Sequence, residues 1–171
     1  MNKLKIIIAP DKRLEQKSLI LKKKDSNSLK FIDKMFEAMY ENNGIGLAAP
    51  QVGELIRIVV MDCTNADTKK KPIAFINPEI IATSKEMVEY DEGCLSLPGY
   101  FGKIYRPASV KVRYIDKLGE SRIKNFTGLE ATCIQHEVDH LNGILFVDYL
   151  SKLRKQIIFR KLKKYKKANN L

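Results

Sequence analysis

The chain has 171 residues, 44% of them hydrophobic and 30% charged, which suits one folded domain with at most an appendage and excludes a disordered polymer. Its net charge of +11 is unevenly placed: residues 151–171 hold nine Lys and Arg and no acid, leaving +2 for residues 1–150. A basic body reading specific nucleic-acid sequences is thereby excluded, and the positive field belongs to the tail.

At the N-terminus, "MNKLKIIIAP" sets two lysines before an apolar run that stops at Pro10, too short for a signal-peptide core. No apolar run approaches the ~20 residues that span a bilayer, so no membrane partner is expected. Cys63, Cys94 and Cys133 lack C-x-x-C spacing and cannot all pair within one chain, which places the protein in the reducing cytoplasm. Residues 22–30 are polar and turn-rich. Leu29, Ile32, Met35, Phe36 and Met39 then recur at helical spacing, and Asn42, Asn43 and Gly44 are suited to ending that helix.

Between about 56 and 127 the texture changes to short β-branched runs, "IRIVVMD", "IAFINPEIIATS", "MVEYDEG", "SVKVRYID" and "SRIKNF", with "DKLG" as a hairpin turn. Helical periodicity then returns. Thr127 and Glu130 predict a capping box and Gly143 a left-handed stop, which brackets a helix over 128–142. A basic amphipathic helix follows over about 150–167, with Leu153, Ile157 and Leu162 among its apolar positions. The order helix, strands, helix, helix predicts an α+β fold, divided into a catalytic body 1–150 and a basic tail 151–171.

The only two histidines, His136 and His140, stand four apart with Glu137 between them, so both imidazoles share one helical face. This is the H-E-x-x-H pattern, in which two histidines ligate a metal and the glutamate serves as acid/base. Two packed core histidines are the alternative. A catalytic site of this kind needs a third ligand and an open position. Phe146 occupies the place of a third downstream histidine and no glutamate follows Glu137, so that ligand lies upstream. Cys133 is seven residues, about 10 Å along the axis, from His140, too far to share an ion; it reads as pocket wall or core, as Cys63 reads as packing. Cys94 remains, following Gly93, beside which a ligand can approach closely. The expected metal set is Cys94, His136 and His140.

Three spaced motifs, "GIGLAAPQ" (44–51), "EGCLSLP" (92–98) and "QHEVDH" (135–140), closely resemble those of bacterial-type peptide deformylases, with "APDKRL" and "IYRP" as flanking likenesses. The resemblance implies antiparallel β-sheets packed around a central H-E-x-x-H helix, and hydrolytic removal of formyl from N-formylmethionyl nascent chains. It also implies one divalent ion, ferrous iron in the cell with Zn2+, Ni2+ or Co2+ able to replace it, held by Cys94, His136 and His140. Glu137 is then the acid/base, and Gln51 with the Leu95 backbone N–H the oxyanion pair. Ile45, Gly46 and Gly93 would bind the peptide backbone as an added strand, and Ile45, Leu129, Thr132, Cys133 and His136 would line the methionine pocket. Arg106 and Asp139 are expected to pair behind the ligands, and the tail to dock on the ribosome near its tunnel exit. A zinc aminopeptidase and a nucleic-acid-binding module are the competing function classes.

Overall fold

A computed structural model describes residues 3–22, 25–64 and 68–170, so Lys23 and Lys24 of the polar stretch 22–30 lie outside the described residues. Among the described residues, seven strands and three α-helices follow one another as helix, strands, helix, helix, an α+β order as the periodicities predict.

The first helix, α1 (Ser26–Glu41), starts earlier than its apolar spacing indicates. Asp25 accepts from the Ser28 N–H at 2.8 Å while the Ser28 hydroxyl accepts from the Asp25 N–H at 2.9 Å, a reciprocal cap built from the polar stretch itself. Five strands, β1 (Gly46–Ala48), β2 (Ile58–Met61), β3 (Ile73–Thr83), β6 (Ser109–Ile115) and β7 (Ser121–Thr127), form an antiparallel sheet in the order β1-β2-β3-β6-β7. A separate two-stranded sheet pairs β4 (Met87–Gly93) with β5 (Phe101–Pro107), Gly93 lying opposite Phe101.

Alternation of side chains along a strand decides which helix each residue meets. Ala48, Val59, Met61 and Phe75 pack with α2 (Gly128–Leu141), against its Ala131, Cys133, Ile134, Val138 and Leu141. Their neighbours Leu47, Ile58, Val60, Ala74 and Ile76 turn to the opposite face and pack on Ile32, Met35, Ala38 and Met39 of α1. The continuous apolar run in β2 is thus a strand covered on both faces. On β6 only Val110, Val112 and Tyr114 point inward, so the sheet's far side is half solvated.

The H-E-x-x-H helix ends as its sequence predicts. Asn142 caps it and Gly143 takes φ +75°, where an added Cβ would lie 2.6 Å from the Glu15 carbonyl oxygen. Its beginning differs: Thr127 is the N-cap residue, but its hydroxyl makes no capping bond, because Gly128 enters the helix at φ +55° and redirects the first turn. The last helix, α3 (Lys152–Ala168), buries Ile158 and Leu162 in a third cluster with Ala9, Leu14, Leu97, Ile104 and Phe146. Leu153, expected on its apolar face, is instead 68% exposed, since the helix meets the body through positions 158 and 162.

Candidate metal centre and active site

The helix α2 is almost wholly inside the protein, so its polar residues must find partners there. Gln135 does so with the Pro107 and Ala131 carbonyls, at 3.1 and 2.9 Å. His136, Glu137 and His140 are likewise buried and face a cleft of about 570 Å³ or the residues beside it. Cys94, just after β4, meets them from the other side. Its Sγ lies 3.2 Å from His140 Nε2, which lies 3.2 Å from His136 Nε2, and the three donor atoms fall within 4.8 Å of one another.

Three electron-pair donors converging at this distance in a buried place fit a cation better than they fit one another, since a single proton satisfies only one contact. The outer nitrogen of His136 agrees: Nδ1 lies 2.9 Å from Glu92 Oε2, which leaves Nε2 as the nitrogen aimed at the site. Among the buried atoms of the described residues, Glu137 Oε2 has no hydrogen-bond partner, and neither does His140 Nδ1. The residues present therefore fit one divalent ion.

Electrostatics separate the buried groups. Burial pushes the Glu137 carboxyl up to about 7, partly offset by His136. Burial disfavours the imidazolium of His136, but Cys94 and Glu92 outweigh it and hold that ring well above its ordinary value. His140 is pushed well below, by burial first and then by the positive fields of His136 and Arg106.

Behind the ligands stands a network whose full extent the sequence does not reveal. Arg106 on β5 donates to both oxygens of Glu92, at 2.5 and 3.0 Å, and to Asp139 at 2.8 Å. The Tyr149 hydroxyl donates to the same Asp139 oxygen at 2.8 Å. Burial works against the Arg106 charge, yet Glu92 and then Asp139 more than compensate and raise it further. The expected Arg106–Asp139 pair is present; Glu92 and Tyr149 were missed. Glu92 left a signal, a carboxylate two residues before Cys94 in one extended strand, whereas Tyr149 left none.

Ile45, Gly46, Gln51, Gly93, Cys94, Leu95, Leu129, Thr132, Cys133, His136 and Glu137 all line the one cleft, and His140 lies beside it. Gln51 is fixed end for end. Its Oε1 accepts from the Ala48 N–H at 2.8 Å, so its Nε2 faces Cys94 Sγ at 3.4 Å and Ser96 Oγ at 3.3 Å. Ile45 offers its side chain, because its carbonyl already accepts from the Asp62 N–H at 2.8 Å, just beyond the paired ends of β1 and β2. Alternation along β1 then turns the Gly46 backbone groups toward the open edge. A Cβ on Gly46 would fall 2.5 Å from Glu137 Oε1 and 2.7 Å from Cys133 Sγ, so only glycine fits there. Cys133 is a wall of the cleft and part of the core, and Cys63 packs against that core.

The profile of the family described as Polypeptide deformylase matches residues 3–156. A peptide deformylase of Bradyrhizobium diazoefficiens is 50% identical over 167 residues, covering 95% of this chain and 94% of the relative. One from Rhodopseudomonas palustris is 50% identical over 161 residues, covering 93% and 92%. The crystal structure of peptide deformylase from Ehrlichia chaffeensis superposes with a TM-score of 0.93 at 42% identity, covering 99% of this chain and all of the other. Likeness of this depth across sequence and fold leaves one conclusion: the chain belongs to the polypeptide deformylase family, and it is a metallohydrolase that removes the formyl group from nascent peptides.

Proposed function

We propose that this reaction takes place in the cleft between α2 and β4, with the roles that follow. The observation that carries the reading is the convergence of Cys94, His136 and His140 within 4.8 Å, beside a buried glutamate and an amide donor of fixed orientation. Cys94, His136 and His140 would hold one divalent ion, whose chemistry there is Lewis acidity toward water and a carbonyl oxygen. One sulfur and two imidazoles suit a borderline-soft ion rather than magnesium or calcium. Ferrous iron is the proposed resident metal in the cell, with zinc, nickel or cobalt as replacements.

Glu137 acts as the proton carrier. A carboxyl held at about 7 can take a proton from the attacking water and return it to the leaving amine near neutral pH. Water adds to the formyl carbon, the C–N bond breaks, formate departs and the freed α-amine keeps the proton. Negative charge that gathers on the formyl oxygen meets the Gln51 amide N–H and the Leu95 backbone N–H. The Gly46 and Gly93 backbones align the peptide as an added strand, which tolerates many sequences. Leu129, Thr132 and Cys133, with Ile45 and His136, form the wall that receives the methionine side chain.

Anaerobic reconstitution with ferrous ion, followed by formate measurement, tests the reading. Formate release from a formyl-methionyl peptide is expected, with no cleavage of its acetyl or free-amine analogues. Equal turnover of the free-amine peptide would instead mark an aminopeptidase.

Residues 1–150 are proposed as the catalytic body, working in the cytoplasm; no helix among the described residues is long and apolar enough to cross a membrane. For the basic tail we favour docking on the RNA-rich ribosome surface. Deleting 151–171 is a poor test, because it would expose the cluster that Ile158 and Leu162 complete. Charge reversal at the exposed Lys161 and Lys164 leaves that packing intact and is expected to abolish salt-sensitive co-sedimentation with ribosomes. Unchanged co-sedimentation would refute the assignment.

A further inference from the structure

Two of the three thiols take no part in holding the ion, and the fold brings them to one place. Side chains alternate where the chain leaves β2: Met61 packs toward α2, Asp62 turns the other way to accept from the Tyr40 hydroxyl at 2.7 Å, and Cys63 turns back. Cys63 there packs against the cluster that holds Cys133 of α2. Hydrogen bonds fix the meeting. The Ile45 carbonyl accepts from the Asp62 N–H at 2.8 Å and from the Cys133 thiol at 3.7 Å, so the residue beside Cys63 and the thiol of Cys133 share one acceptor. A hydrogen bond between the two thiols comes first among the causes that hold Cys133 well above its ordinary value, ahead of burial and the nearby Glu137 carboxylate.

The two thiols differ in what surrounds them. Cys63 is half-buried, while Cys133 is 6% exposed and forms part of the cleft wall. The Cys133 sulfur also stands 2.7 Å from where a Cβ on Gly46 would lie, a point only 2.5 Å from Glu137 Oε1. Moving that one atom therefore disturbs both the wall and the surroundings of the proton carrier. The third thiol, Cys94, is engaged with His140 and Gln51.

We propose that Cys63 and Cys133 form a redox-modification site, a dithiol that hydrogen peroxide converts to a disulfide and that thereby slows the enzyme. Peroxide oxidises the more accessible Cys63 thiol to a sulfenic acid and one water is released. The Cys133 sulfur then attacks that sulfur: the S–O bond breaks, the S–S bond forms, and the Cys133 proton leaves with the hydroxyl as a second water. Two electrons pass from the thiols to peroxide. Closing from hydrogen-bond contact to an S–S bond of about 2.05 Å draws Cys133 from its present place in the wall. In a reducing cytosol the pair stays open, and thiol exchange reopens it after oxidation. The effect on rate rests on the methionine-pocket reading given above; the bond itself does not.

Nickel-loaded protein, which has no ferrous ion to oxidise, is treated with hydrogen peroxide, digested without reductant and mapped by mass spectrometry. Formate release from a formyl-methionyl peptide is measured before and after. Wild type is expected to yield a linked Cys63–Cys133 peptide and to lose about 10- to 100-fold in kcat/KM, as displacements of about 1 Å in an active site do. Dithiothreitol should restore the rate, which sets this loss apart from irreversible oxidation of Cys94 to sulfinic or sulfonic acid. Cys63→Ser should match the untreated wild-type rate and show no loss that dithiothreitol reverses. A map without the Cys63–Cys133 link, a link that leaves kcat/KM unchanged, or an equal reversible loss in Cys63→Ser overturns the proposal. Absence of formate from untreated wild type would sink the underlying reading instead, so the two failures are told apart.

Discussion

At the scale of single residues the site is governed by what is buried without a partner. Glu137 sits inside the protein with one oxygen unbonded and its carboxyl raised to about 7, a state that folding alone would not favour. Glu137→Gln keeps the shape and removes the proton carrier. Deformylation should fall on the order of 10²- to 10⁴-fold while metal content, read by elemental analysis, stays near one ion per chain. Loss of the ion in that variant would mean that the carboxylate helps hold it. Gly46 acts through space rather than chemistry. Gly46→Ala would push a methyl into Glu137 Oε1 and Cys133 Sγ, and because displacements of about 1 Å in an active site cost about 10² in rate, a loss of that size is expected in kcat. A variant with wild-type kcat would show that the glutamate can yield without consequence.

Among the secondary-structure elements, β5 matters more than its sequence suggests. "FGKIYRP" shows no run of β-branched residues, but it delivers Arg106 between Glu92 of β4 and Asp139 of α2, and so ties both halves of the site together. Arg106→Met would leave two carboxylates facing each other without their cation. Removing one partner of a buried ion pair costs about 3–5 kcal/mol, and misorienting the carboxylate behind His136 weakens metal binding by about 10- to 100-fold. Chemical denaturation and metal competition measure the two effects separately. A stability loss below about 1 kcal/mol, within the range of an exposed ion pair, would show that the network is not held dry. The strands missed in sequence, β1 and β5, have a common explanation: "GLA" is too short to display a period, and β5 alternates around glycine, lysine and arginine. Thr127 and Leu153 were misjudged because a cap depends on the dihedral of the following residue and an apolar face on what lies opposite it.

For the whole molecule, a site assembled from β4 and α2, 42 residues apart between Cys94 and His136, couples ion binding to folding. An ion present at 100 times its Kd stabilises by about 2.7 kcal/mol, so stripping the metal with a strong chelator should lower Tm by about 5–10 °C. The same chelator should leave Cys94→Ala unmoved in calorimetry. An equal shift in that variant would place the stabilising ion elsewhere. By itself the sequence determined the helices, most strands, both histidines on one face and the three spaced motifs, because these depend on local periodicity and on residue type. Only the tertiary structure decided that Glu92 stands behind His136, that Ile45's carbonyl is already spoken for, and that Tyr165 reaches the cleft. Those are meetings between residues far apart in the chain, set by how sheets and helices pack, and no local pattern encodes the distance between them.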